Sequence, residues 1–167
     1  GLLDDRQLNE YLFHCLLNYY RTYRKEVMEK TRNLSSSNPV TRSEIMKRLV
    51  VAKDYIQSNY DKKIGLKDVA REACLSVNHL LRTFQQAYQR SPHQYLQQVR
   101  LERARYLLSN TDVPVLAIAG MIGFDCPSSF IRHFKSTFSD TPGQYRNKQK
   151  GEDAHDRLRQ PFNLISA

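Results

Sequence analysis

The sequence predicts an all-α chain: two helix-turn-helix subdomains joined by a long linking helix and preceded by an extra N-terminal helix. Three observations carry this. Apolar residues recur every three to four positions through nearly every patterned segment, the period of one helix face, and no segment alternates as a strand does. The chain repeats itself at an offset of 49–50 residues. Three prolines (Pro92, Pro127 and Pro142) follow polar corners, and a fixed φ suits the first turn of a helix.

In the first helix, Leu8, Leu12, Leu16, Tyr19, Tyr23 and Val27 form the stripe, and "NLSSSNP" at 33–39 ends it. "TRSE" at 41–44 has the form of a capping box, a hydroxyl with glutamate three residues on. The helix it opens carries Ile45, Leu49, Ala52 and Ile56 on one face, and "NYDKKIG" at 59–65 breaks it. A short helix follows with Leu66, Val69, Ala70 and Ala73 inward. "CLS" at 74–76 makes a tight corner, and the next helix runs over 77–89. Pro92 opens a helix through Leu108, about 25 Å long at ~1.5 Å per residue. After "SNTDVP" come a short helix over 115–122, a corner at Gly123, a helix from Pro127 to about Phe138, and a short last helix from Pro142. The expected organisation is a helical segment and linker over 1–38, a double helix-turn-helix domain over 39–150, and a tail over 151–167. The tail turns from charged to apolar at "PFNLI".

The repeat gives the middle segment its architecture. Val69-Ala70 matches Ile118-Ala119, and Leu75-Ser76 matches Phe124-Asp125. Leu80, Phe84, Tyr88, Pro92 and Tyr95 match Phe130, Phe134, Phe138, Pro142 and Tyr145. Each copy is a helix, a tight turn, a second helix and a proline-led helix. In a helix-turn-helix the first helix braces the second, which can lie in the DNA major groove.

Charge points the same way. The 167 residues carry a formal net charge of +9, and residues 41–150 hold all of the excess, with 18 Lys and Arg against 9 Asp and Glu. A basic surface raises the expectation of nucleic acid over acidic partners. No stretch approaches the ~20 apolar residues of a membrane span. Asp4, Asp5 and Arg6 interrupt any leader pattern. The chain begins at Gly1, and a preceding N-terminal part is expected. Three cysteines (Cys15, Cys74 and Cys126) lie far apart with no CxxC pair, so neither a disulfide framework nor a zinc module is expected. His14, His79 and His133 lack the spacing of a metal site with them. No cofactor is expected, and a reducing cytoplasm is the simplest home.

On the first candidate reading helix, Val77, Leu80, Leu81, Phe84, Ala87 and Tyr88 form the inward side. Asn78, His79, Arg82, Gln85, Gln86 and Gln89 form the other. On the second, Pro127, Phe130, Ile131, Phe134 and Phe138 face in, and Ser128, Ser129, Arg132, Lys135 and Ser136 face out. Neither outward set holds an acidic residue. A single polar helix face is usually just solvated. Two that repeat, acid-free within a basic segment, point to DNA, because Arg, Gln, Asn, His and Ser read base edges or hold phosphates.

These residues carry a resemblance. Residues 41–147 resemble the DNA-binding domain of the AraC/XylS family of bacterial transcription regulators. The strongest match is "IAGMIGFDCPSSFIRHFKSTFSDTPGQYR" (118–146). "YLQQVRLERARYLL" resembles the family's linking helix, and "LKDVAREACLSVNHLLRTF" its first helix-turn-helix. The resemblance implies seven helices and two recognition helices entering successive major grooves, a turn of ~34 Å apart. Carried over by position, it implies base reading from Asn78, Leu81 and Arg82, and from Pro127, Ser128, Ser129 and Arg132, with His79 assisting. Arg82 and Arg132 are the main candidates, since an Arg fork matches guanine O6 and N7. Gln85, Gln86, Lys135 and Arg146 are the candidate phosphate contacts. Arg100, on the linking helix, fits a structural ion pair as well as a DNA contact. Cys74, Gln89 and Ser139 stand where the family carries glycine, so those turns are expected to differ slightly. Leu81 and Pro127 replace polar readers, which shifts readout toward fewer contacts or DNA shape.

The resemblance also implies a sensor and dimerisation region ahead of this domain, with residues 1–33 as its last helix. Three covers fit the Leu8–Leu12–Leu16–Tyr19 stripe equally: that region, a second copy through residues 5–32, or the DNA-binding domain itself. A small-molecule effector would act only through the missing sensor. The rival reading is a helical protein-interaction module contacting RNA polymerase or another partner, with little DNA specificity. An enzyme is not expected: no carboxylate pair, nucleophile–base arrangement or phosphate loop is visible, and Cys74 and Cys126 sit in turns.

Overall fold

The structure, a computed structural model, describes residues 5–35 and 38–159. The apolar "PFNLI" end of the tail lies outside the described residues. Among those described there are eight helices and no strand: α1 (Asp5–Arg32), α2 (Pro39–Ser58), α3 (Leu66–Glu72), α4 (Val77–Tyr88), α5 (Pro92–Asn110), α6 (Val115–Met121), α7 (Pro127–Phe138) and α8 (Pro142–Arg159). The chain divides into two compact units, Gly1–Tyr55 with Leu66–Pro92, and Ile56–Gly65 with His93–Ala167. Each unit carries one helix-turn-helix. Among the described residues no helix is long and apolar enough to cross a membrane.

In the first unit, α4 packs against α3 and against α1. Leu49 and Ala52 of α2, Val69 and Ala70 of α3, and Leu80, Phe84, Ala87 and Tyr88 of α4 are buried. Met46 is buried too and Ile45 only half so, which turns the α2 stripe by one residue from the expected Ile45 register. α2 also starts three residues early. Asn38, not Thr41, caps it, its Oδ1 accepting from the Val40 amide at 2.9 Å with Pro39 in the first turn. Glu44 of the expected capping box turns instead to Arg48, four residues on, at 3.3 Å.

The C-terminal end of α1 meets α4. The Lys30 ammonium lies 4.7 Å over the Tyr88 ring and is ion-paired to Glu26. Upstream, Leu8, Leu12, Leu16, Tyr19 and Tyr23 stay exposed, Tyr19 at 71 % and Leu16 at 66 %.

The second unit is built on one cluster: Leu101, Ala104 and Leu108 of α5, Ile118 and Ala119 of α6, Ile122 and Phe124 at the corner, and Phe130 and Phe134 of α7. Phe130 and Phe134 meet edge to face at 5.7 Å, and Tyr145 of α8 meets Phe134 at 5.7 Å. Pro142, like Pro92, is fully buried. α8 is not short: it continues to Arg159.

Both helix-turn-helix corners close with the same pair of backbone bonds. Leu75 N–H reaches Ala70 O at 2.9 Å and Cys74 N–H reaches Arg71 O at 3.1 Å. Phe124 N–H reaches Ala119 O at 3.0 Å and Gly123 N–H reaches Gly120 O at 3.1 Å. This satisfies the last carbonyls of α3 and α6 and requires a left-handed residue at the corner. Cys74 (φ 52°) and Gly123 (φ 81°) supply it. Gln89 (φ 55°) and Ser139 (φ 67°) do the same after α4 and α7. The turns expected to differ for want of glycine therefore keep the left-handed geometry. The side chains take the strain, about 1–2 kcal/mol each before local relief.

Gly123 carries a second constraint. A Cβ there would lie 2.7 Å from Arg100 Nη2, 2.8 Å from Asp61 O and 2.9 Å from Tyr60 O. Gly123→Ala should therefore cost about 2–4 kcal/mol, left-handed strain plus overlap. Cys74→Gly, at an exposed left-handed position, should stabilise by up to about 1 kcal/mol. Thermal and urea denaturation check both, and equal small effects at the two corners would contradict this account.

Candidate nucleic-acid interface

α4 and α7 are twelve residues each, and the same logic presents them. Ser76 caps α4, its Oγ accepting from the His79 amide at 3.3 Å, while Thr83 turns its hydroxyl back onto His79 O at 2.7 Å. Thr83 is buried, so the outward face of α4 begins at its neighbours. Asn78, Arg82, Gln85 and Gln89 are exposed; His79, Leu81 and Gln86 are half-buried. On α7, Pro127, Ser128, Arg132, His133, Lys135 and Ser136 are exposed and Ser129 is half-buried. Pro127 was expected inward with the phenylalanines. It instead occupies the first turn beyond the core, where its ring starts the helix in solvent.

Several cations outside these faces are held in ion pairs. Arg48 and Lys47 pair with Glu44, Arg71 with Asp68, Arg105 with Glu102, and Lys148 with Asp140. Among the described residues no carboxylate pairs with Arg82, Arg132 or Lys135. These cations stand in solvent with their charge uncompensated.

Cys126, at the N-cap of α7, closes no capping hydrogen bond through its side chain. The open first turn still acts on it: the Ser129 and Ser128 amides, then the Ser128 hydroxyl and the Arg132 charge, draw its thiol below the ordinary cysteine value. Sequence reading passed over it as a turn residue; its position at a helix start was the available signal.

Two of the expected phosphate contacts are engaged elsewhere. The Gln86 amide bonds Ser35, its Nε2 donating to Ser35 Oγ at 3.1 Å. Arg146 Nη2 donates to Val113 O at 2.5 Å, and its Nε is buried with no partner. Arg100 also turns inward, at 8 % exposure. It holds two carbonyls, Tyr60 O through Nε at 2.7 Å and Lys62 O through Nη2 at 2.9 Å, rather than the carboxylate of an ion pair. Burial lowers its pKa, against the opposing pull of Asp125 and Asp61.

Known proteins share this arrangement. A family model described as "Helix-turn-helix domain" matches residues 69–148, from α3 into α8. The chain is 36 % identical over 92 residues to the melibiose operon regulatory protein of Escherichia coli K12, covering 55 % of this chain and 30 % of that one. The solved C-terminal domain of the two-component response regulator yesN from Fusobacterium nucleatum is 30 % identical, with 58 % of this chain and 95 % of that one covered at a TM-score of 0.55. A transcriptional regulator from Chromobacterium violaceum with an AraC-type DNA-binding domain matches at 26 % identity and a TM-score of 0.59, over 70 % of this chain and 96 % of that one. The chain belongs to the AraC/XylS family of transcription regulators. The family's two helix-turn-helix units correspond here to α3–α4 and α6–α7, and its domain of seven helices to α2–α8. The chain spans less than half the length of the curated relatives it matches. Curated relatives that it matches are named as regulators of transcription, among them the HTH-type transcriptional regulator ArgR of Pseudomonas aeruginosa and the lactose operon transcription activator of Staphylococcus xylosus.

Proposed function

We propose that this chain is the DNA-reading part of a bacterial transcription regulator, inserting α4 and α7 into successive major grooves of double-stranded DNA. One observation carries the reading: the outward faces of two repeated helices expose Arg82, Arg132 and Lys135, none of them in an ion pair among the described residues. Asn78, His79 and Arg82 on α4, and Ser128, Ser129 and Arg132 on α7, are the base readers. Gln85 and Lys135 are the phosphate contacts. Gln86 and Arg146 leave that role, because their polar groups are bonded to Ser35 and Val113.

Residues 1–38 close a sensor and dimerisation region, and residues 39–150 are the DNA-binding domain. In the assembled regulator, a small-molecule effector acts through the preceding region and RNA polymerase is the protein partner, in the cytoplasm. A second copy of the chain covers the exposed Leu8–Tyr23 stripe of α1. Leu16→Glu should then lower the mass seen by sedimentation from dimer to monomer. An unchanged mass would remove the dimer.

DNA reading is tested on duplexes selected from a random library. Arg132→Ala should weaken the selected site by about tenfold or more, and random DNA far less. Lys135→Ala should weaken both alike and reduce the log–log salt slope by ~0.9. Arg146→Ala should leave that slope unchanged and instead cost about 1–3 kcal/mol of stability, by stripping a carbonyl of its donor. Salt-insensitive binding with a silent Arg132→Ala would instead support the protein-interaction module.

A further inference from the structure

The repeat extends beyond the helix-turn-helix units. Leu49, Ala52 and Ile56 on α2 match Leu101, Ala104 and Leu108 on α5, each a constant 52 residues later. All six are buried. The residue before the first of each trio is an arginine, Arg48 on α2 and Arg100 on α5. Each reaches the corner of its own unit. Arg48 Nη1 donates to Cys74 O at 2.9 Å. Arg100 Nη2 lies so close to Gly123 that a Cβ there would sit 2.7 Å from it. Cys74 and Gly123 are the matching left-handed residues of the two corners.

We propose that Arg48 and Arg100 are equivalent positioning residues, each fixing the corner from which its own reading helix departs. The proposal rests on the reading of α4 and α7 as the DNA-reading helices. Neither arginine needs to touch a base. In the second unit the chain of contacts is explicit. Arg100 ties the 59–65 loop to α5 through the Tyr60 and Lys62 carbonyls and lies 5.7 Å over the Phe124 ring. Phe124 in turn packs on Phe130 at 5.5 Å and on His133 at 6.2 Å, both on α7. In the first unit Arg48 holds the Cys74 carbonyl two residues before the Ser76 cap of α4. The two clamps differ in strength. Arg48 is partly exposed and makes one corner bond while sharing Glu44; Arg100 is buried and spans two carbonyls. The second reading helix is therefore the more tightly aimed.

The test is a selection from a random duplex library by the 167-residue chain, with the base preference of each enriched box scored separately. Arg82→Ala and Arg132→Ala show which box α4 reads and which α7 reads. Arg100→Met should flatten preference in the α7 box about tenfold and leave the α4 box intact; Arg48→Met should flatten the α4 box alone, a few-fold. Arg48→Lys should restore the α4 box, since one ammonium reaches one carbonyl. Arg100→Lys should not restore the α7 box, since it cannot span two carbonyls in the guanidinium geometry. All variants are compared at a temperature where circular dichroism shows them folded. If Arg100→Met does not fold, the two lysine variants and Arg48→Met carry the comparison. A purely stabilising or electrostatic role would lower affinity for every duplex and leave base preferences unchanged. That result, or loss of both boxes together, overturns the proposal. If the unsubstituted chain enriches no box at all, the DNA reading itself fails, and the proposal with it.

Discussion

Each helix-turn-helix here depends on a backbone constraint, the left-handed residue that lets a short helix end and turn within four or five residues. The last carbonyls of α3 and α6 need donors, and the paired bonds at each corner supply them only if Cys74 and Gly123 take positive φ. Presentation of a polar helix face outward, over a core of phenylalanines and leucines, follows from that turn. Glycine meets the demand at one corner without strain. At the other, Cys74 meets it with some strain, and Gln89 and Ser139 repeat the compromise after α4 and α7. The backbone geometry holds while the residue type varies.

Some arginines and lysines outside the reading faces are paired to nearby carboxylates, several of them a helical turn away on the same helix. Exposed pairs of this kind contribute little to stability, usually under about 1 kcal/mol. Arg82, Arg132 and Lys135 are left unpaired, and a net charge of +9 supplies long-range attraction. Arginine serves several purposes among the described residues: exposed on the reading faces at Arg82 and Arg132, paired to carboxylates at Arg71 and Arg105, and turned onto backbone carbonyls at Arg100 and Arg146.

Much of this was legible in the residue order. Helix period, proline placement and the 49–50-residue repeat place the helices to within about three residues for α2–α7, and the acid-free faces of α4 and α7 stand out in the residue order alone. What sequence reading missed depends on contacts between distant residues. Nothing local says that Arg146 reaches Val113, that Gln86 reaches Ser35, or that Arg100 takes carbonyls in place of a carboxylate. The capping box at Thr41 is a sound local pattern that loses to Asn38–Pro39, a stronger start three residues earlier. Met46 was passed over because the Ile45 register satisfied the same period. The resemblance marks Cys74, Gln89 and Ser139 as turns lacking the family's glycine; propensity argues for a change of geometry there, and tertiary packing keeps them left-handed instead.

The central claim is that two helices of one chain read the major groove at two places. Guanine N7 methylation protection on a selected duplex tests it most directly, because N7 is exposed only in that groove. The account predicts two clusters of protected guanines about one helical turn apart, with Arg82→Ala and Arg132→Ala each uncovering a different cluster. Tight binding with no N7 protection, or one cluster indifferent to both arginines, would contradict it.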